Sequence, residues 1–202
     1  NDANVITFFF FFFAGSGALA KTNTGGMTKA SLGDGASVTA DRVAVTAEHT
    51  ALFNGKIDNL AASLVGASGV DVSHTVDTDV LTSVNGTVAA NDDSSTMDKD
   101  VVTLKAVNNT KQNWLGSVSN GDDAGWNVRS ASGGALNASA VAETDAITQT
   151  ANVTVGSQAN ITAGSASAAG SFAADAQNNI TAHNKAKINA GGAISVAEAD
   201  ST

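Results

Sequence analysis

His49, His74 and His183 are the only histidines in the chain, and there is no cysteine, so a metal site would have to combine imidazole with carboxylates. None of the three stands in a His-x-x-x-His or His-Glu-x-x-His spacing that would place two ligands on one face. The expectation is three solvent-facing histidines and no metal site. The acidic pairs Asp92-Asp93 and Asp122-Asp123 offer the oxygen ligands that Ca²⁺ takes. They belong to neither an EF-hand loop nor a GGxGxD repeat, which leaves calcium there as a weak alternative to the expectation of no metal.

Other chemistries fail on the same kind of reading. Gly33-Asp34-Gly35 and Gly25-Gly26 read as turns, without the Lys-Ser/Thr of a P-loop or a strand-GxGxxG-helix context, so no phosphate or dinucleotide cofactor is expected. No Gly-x-Ser-x-Gly elbow occurs, and the many serines have no evident His-Asp partners. A glycosidase-type carboxylate pair depends on spatial separation and stays open on sequence. The chain is expected to be non-enzymatic. Trp114 and Trp126 flank the turn-rich Asn120-Gly121-Asp122-Asp123 stretch and are the one candidate ligand-stacking pair. Their faces suit the apolar face of a sugar, or they cover the side of the fold. A carbohydrate-binding or carbohydrate-active protein is therefore the alternative function.

The elements that would hold such residues are constrained by composition. In 202 residues there are 20 glycines and no proline, roughly a fifth of the chain is alanine, and 5% is aromatic. Turns must be made by Gly, Asn, Asp and Ser, and the interior by Ala, Val, Ile and Leu. That describes a thin, repetitive core rather than a globule of large interdigitating side chains. Charged residues make up 14%, below the usual share of about 25%, with a net charge of -9. Nucleic acid is excluded as a partner, because neutralising phosphates takes clustered Lys and Arg.

The opening residues form a separate segment, 1–30, apart from a domain at 31–202. Val5 to Ala20 is apolar and contains the run Phe8 to Phe13, and Ala18-Leu19-Ala20 has the small-x-small form of a signal-peptidase site. Asn1-Asp2-Ala3-Asn4 carries no positive charge, so a secretory signal is not expected. Gly15, Ser16 and Gly17 interrupt the apolar stretch short of the about 20 residues a membrane helix needs, so no membrane span is expected. As a strand, the phenylalanine run would place three rings on each face, either doubly buried or exposed and aggregation-prone.

From residue 36 onward, blocks such as Val43-Ala44-Val45-Thr46, Asn152-Val153-Thr154-Val155, Asn160-Ile161-Thr162-Ala163 and Asn179-Ile180-Thr181-Ala182 read as strands of three to five residues. Phe172, Ile180, Ile188 and Val196 follow one another at intervals of 8, and Ile161 to Ile180 spans 19. Nested periods near 8 and 20 predict a parallel β-solenoid of about ten coils of roughly 20 residues, forming a rod about 50 Å long. Val72, Val76, Val80, Val84 and Val88 could alternatively follow a helix at i, i+4, but β-branched Val among Thr, Asp and Asn favours strand. The ends of such a rod would present unpaired strand edges.

Gly33-Asp34-Gly35-Ala36-Ser37-Val38-Thr39-Ala40, the run through Val43-Ala44-Val45-Thr46-Ala47 to Asn54-Gly55-Lys56-Ile57-Asp58-Asn59, and Gly191-Gly192-Ala193-Ile194 near the end resemble the passenger repeats of leukotoxin-family filamentous adhesins. The resemblance covers about residues 30 to 202. It implies a right-handed parallel β-helix from a large bacterial cell-surface or secreted protein, and it supplies no catalytic residue. The expected partners are further copies or adjacent repeats end to end and a surface receptor or glycan.

Overall fold

Where Val, Ile, Thr or Ala fills every second position, an extended chain buries one face and leaves the other in water. In the computed structural model, which describes residues 2–91, 100–112, 128–165 and 168–201 and the side chains between 12 and 200 within them, the protein is all-β. Eleven strands and no helix are found among the described residues. No helix long and apolar enough to cross a membrane is present among them.

The chain is laid down in levels. The first consists of β1 (Asp2–Leu32), β2 (Ser37–Ala40) and the opening stretch, 42–53, of β3 (Arg42–Val84). The second holds the remainder of β3, β4 (Thr87–Ala90) and β5 (Val101–Gln112). The third holds β6 (Val128–Gly133), β7 (Leu136–Val155), β8 (Asn160–Ala163) and β9 (Ser171–Thr181), and β10 (Ala186–Gly191) and β11 (Ile194–Ser201) lie on it. Every ladder between these strands is parallel. Val5 pairs with Ile57, Ile57 with Val128, and Val128 with Ala186. Likewise Ser37 pairs with Thr87 and Thr87 with Asn160. The main sheet has eight strands and curls into a half-barrel, while β2, β4 and β8 form a second sheet of three.

This register corrects the expected coil. One circuit, from Ser37 to Thr87 or from Thr87 to Asn160, is more than twice as long as expected, and the described chain makes three levels with a fourth begun, not ten. Ile161 lies over Val88 and Ile180 over Thr110, so the two isoleucines 19 apart do not stack on one another. The strands are correspondingly long: β1 has 31 residues, β3 has 43 and β7 has 20. Most corners are turned within long ladders, because each corner follows the one beneath it; the pairing on β3 is interrupted between the pair Ala62 with Gly133 and the pair Val65 with Leu136. The first segment of the chain, most of 1–30, is β1 and pairs along β3. Gly25 and Gly26 lie inside β1 rather than in a turn, whereas Gly33 to Gly35 do form one, with Gly35 at φ 73° and the Ala36 N–H donating to the Gly33 carbonyl.

The interior is a thin seam between two legs of each level. Along the seam, apolar and polar layers alternate. Val43, Val102 and Leu104 pack on Val84, Val88 and Ala90, and Ala47 and Ala106 pack on Val80. Next comes a polar layer, in which the Asn108 amide donates to the carbonyls of Thr78 (2.8 Å) and Thr150 (3.0 Å) while its oxygen accepts from the Thr78 hydroxyl (3.1 Å). Ala51, Phe53 and Val76 close over that layer. Beyond them Ile57, Val128, Val70, Val72 and Val141 form a further apolar cluster. At the far end the hydroxyls of Ser68, Ser130 and Ser139 bond one another at 2.7–3.0 Å. The valines at four-residue spacing, Val72 to Val88, are strand residues pointing into this seam. Alternation of small apolar side chains with short polar ones lets the two legs approach closely, and the Asn108 and serine layers bond within themselves.

Candidate polar site in the interior seam

One polar group in the seam has ligand chemistry. On β3 the even-numbered residues from 66 to 84 face inward, which places His74 between Val72 and Val76, and on β7 the odd-numbered residues do so, which places Glu143 and Asp145 between Val141 and Ile147. The ladder between β3 and β7 sets Asp145 directly over His74 and Glu143 over Val72. Below His74, in the first level, lies Thr22. A ring nitrogen of His74 and one carboxylate oxygen each of Glu143 and Asp145 lie within 4.8 Å of one another.

Each wall of the group can be named. The Phe53 ring stands tilted against the His74 ring with centroids 4.9 Å apart. Thr22 Oγ1 hydrogen-bonds His74 Nδ1 at 2.5 Å, and His74 Nε2 has no hydrogen-bond partner. Gly55 makes room for the ring: a Cβ there would stand 2.8 Å from His74 Cε1 and 3.1 Å from Nε2. From the third level the Asn184 amide nitrogen donates to Glu143 Oε1 (3.1 Å) and to Asp145 Oδ2 (3.0 Å), leaving Asp145 Oδ1 without a hydrogen-bond partner. Gln112 Nε2 reaches Glu143 Oε1 at 3.5 Å, and its Oε1 accepts the His183 backbone N–H at 2.5 Å.

Burial sets the protonation states. His74 and Glu143 are each 1% exposed and Asp145 is half-buried. Loss of water lowers the His74 imidazole below its ordinary 6.5, so the ring is neutral at neutral pH. The same cause raises the Asp145 carboxyl above its ordinary 3.8, against which the Asn184 hydrogen bond acts in the opposite sense. The imidazole and the two carboxyl groups offer one nitrogen and two oxygens as donors.

His74 therefore corrects the expectation of solvent-facing histidines. The inward alternation of β3 carries it into the seam as surely as it carries the valines beside it. His49 is also partly inside, its Nδ1 3.2 Å from Thr28 Oγ1 and its ring above Gly26, where a Cβ would stand 3.4 Å from Cε1. Only His183 is exposed. The missed signal was Glu143-Thr144-Asp145: acids two apart on an alternating strand share a face, and here Val141 and Ile147 flank them on that face. Trp114, Trp126, Asp92-Asp93 and Asp122-Asp123 lie outside the described residues.

On the outer surface, an open concavity of about 630 Å³ runs along Leu19, Asp71, Glu198 and Asp200, floored by small residues and without an aromatic side chain in its lining. No family model, curated protein or solved structure matches the chain.

Proposed function

We propose that the chain is a non-enzymatic structural segment, a β-solenoid belonging to an extracellular bacterial adhesin or filament that serves in surface attachment or fibre assembly. One observation carries this reading. Parallel levels are stacked in register, and the outermost strands have one partner each among the described residues: β1 and β2 on one side, β8, β9, β10 and β11 on the other. Such edges offer rows of backbone donors and acceptors in the same parallel sense as the ladders already formed, so a further level extends the stack without any new geometry. Phe172, Ile180, Ile194 and Val196 on the last strands are exposed, as the side chains of a seam are when nothing lies over them. The acidic surface keeps such a rod soluble.

Electron microscopy of the purified chain tests the reading. Rods lengthening with concentration and a layer line at about 4.8 Å along their axis are expected. Discrete particles at every concentration would contradict end-to-end assembly.

A further inference from the structure

We propose that His74, Glu143 and Asp145 form a structural site for one divalent transition-metal ion of the zinc class, held inside the seam and tying the second level to the third. The donors come from both levels, His74 from β3 and the two carboxylates from β7, and they are neighbours because the ladder sets Asp145 over His74. Their three ligand atoms already converge within 4.8 Å. Donors about 2.1 Å from a tetrahedral zinc ion stand about 3.4 Å from one another, so each pair has at most about 1.4 Å to close, a distance that side-chain rotation of His74, Glu143 and Asp145 supplies.

Three further observations point to a ligand rather than to a satisfied polar cluster. His74 is 1% exposed, yet its Nε2 has no hydrogen-bond partner, as does Asp145 Oδ1. An orphaned nitrogen in a desolvated interior is costly unless something accepts its lone pair. The outer partners are those of a metal centre: Thr22 hydrogen-bonds Nδ1 and holds the ring, and Asn184 donates to both carboxylates. Gly55 keeps clear the space beside Nε2 that a Cβ would fill.

The donor set also selects the ion. One imidazole with two carboxylates suits zinc and its first-row neighbours, whereas Ca²⁺ takes six to eight oxygens and Mg²⁺ an octahedron of them. A water would complete four-coordination. Bound between levels, the ion would hold β7 in register on β3.

The test is calorimetric titration of the full chain, freed of metal with a chelator and exchanged into chelator-free buffer, with Zn²⁺ and separately with Ca²⁺ and Mg²⁺. One Zn²⁺ per chain is expected, together with a rise in melting temperature of about 5 to 10 °C at a hundredfold excess over Kd. His74→Gln and Asp145→Asn should each weaken Zn²⁺ binding by at least about 100-fold, while His49→Gln leaves it unchanged. Should His74→Gln fail to fold for want of the ring against Phe53, Asp145→Asn, which keeps its shape, decides the matter, with circular dichroism confirming its fold. Absence of stoichiometric Zn²⁺ binding, or binding that a folded Asp145→Asn protein retains in full, overturns the proposal.

Discussion

Asp145 lies directly above His74 in a parallel ladder although a whole circuit of the chain separates them. The relationship depends on the length of that circuit, and three neighbouring rows share it: Thr22, His74 and Asp145 in one, Ala20, Val72 and Glu143 in the next, Thr24, Val76 and Ile147 beyond. A polar site and the apolar rows that flank it are thus products of one register.

The close approach of the His74 ring to the backbone makes Gly55 sensitive. Gly55→Ala would put a Cβ 2.8 Å from His74 Cε1 and 3.0 Å from Val72 Cγ1, and an overpacked interior costs about 1 to 3 kcal/mol. Gly69→Ala, with nothing within 4 Å of the added carbon, should stay within about 0.5 kcal/mol of wild type. Urea unfolding of the two variants measures the difference.

Alternation along the strands separates two leucines in the same way. Leu104 is fully buried among Val43, Val84 and Val102, and Leu52 is 48% exposed on the outer face. Leu104→Ala is expected to cost about 2 to 5 kcal/mol and Leu52→Ala less than about 1 kcal/mol. Equal losses would place the seam elsewhere.

Stacked levels are also pinned from outside. Arg129 Nε and Nη2 donate to the two carboxylate oxygens of Asp58 at 2.7 and 2.5 Å, and the two residues are ladder partners on adjacent levels. A double-mutant cycle with Arg129→Met and Asp58→Asn should give a coupling of about 0.5 to 1 kcal/mol that shrinks as salt is raised. A coupling indistinguishable from zero at low salt would show that the pair contributes nothing to register.

In metal-free protein the buried site makes stability depend on pH. Burial holds His74 below 6.5 in the folded chain, with the carboxyls of Glu143 and Asp145 facing it. A depressed folded value means that the contribution to stability is present above 6.5 and is lost as pH falls through the folded value. Asp145 has the opposite sign: raised above 3.8, it contributes below 3.8 and the contribution is lost as pH rises through the folded value. Relative to His74→Gln, wild type should therefore lose stability between about pH 7 and pH 5, measured by urea unfolding in the presence of chelator. A difference that is constant across that range would contradict the buried position of the ring.

The all-β character was legible because Val72, Val76, Val80 and Val84 stand at even spacings among Thr, Ser and Asp, and even spacing holds side chains on one strand face. The thin seam was legible in the abundance of alanine and the scarcity of aromatic rings. What the spacing did not carry was the length of the circuit. The intervals of 8 from Phe172 to Ile180 and from Ile180 to Ile188 are even, and any even interval satisfies the same alternation, while the odd interval of 19 joins Ile161 and Ile180 on strands of different sheets. The site was hidden for the same reason: His74 looked isolated in sequence, and only a full circuit of the chain brings it under Asp145. Its acids were nonetheless visible as Glu143 and Asp145 on the inward face of an alternating strand.

The stacking register is tested most directly by disulfide formation, which the absence of native cysteine makes clean. Asp77 and Thr148 are ladder partners on adjacent levels, both on the outer face. Adjacent strands stand about 4.8 Å apart, inside the range of about 4.4 to 6.8 Å that a disulfide spans between Cα atoms. Asp77→Cys with Thr148→Cys should cross-link on mild oxidation, and Thr148→Cys with Ala168→Cys, the pair that the shorter coil would stack, should not. The reverse pattern would contradict the register, and with it both the interior site and the open edges.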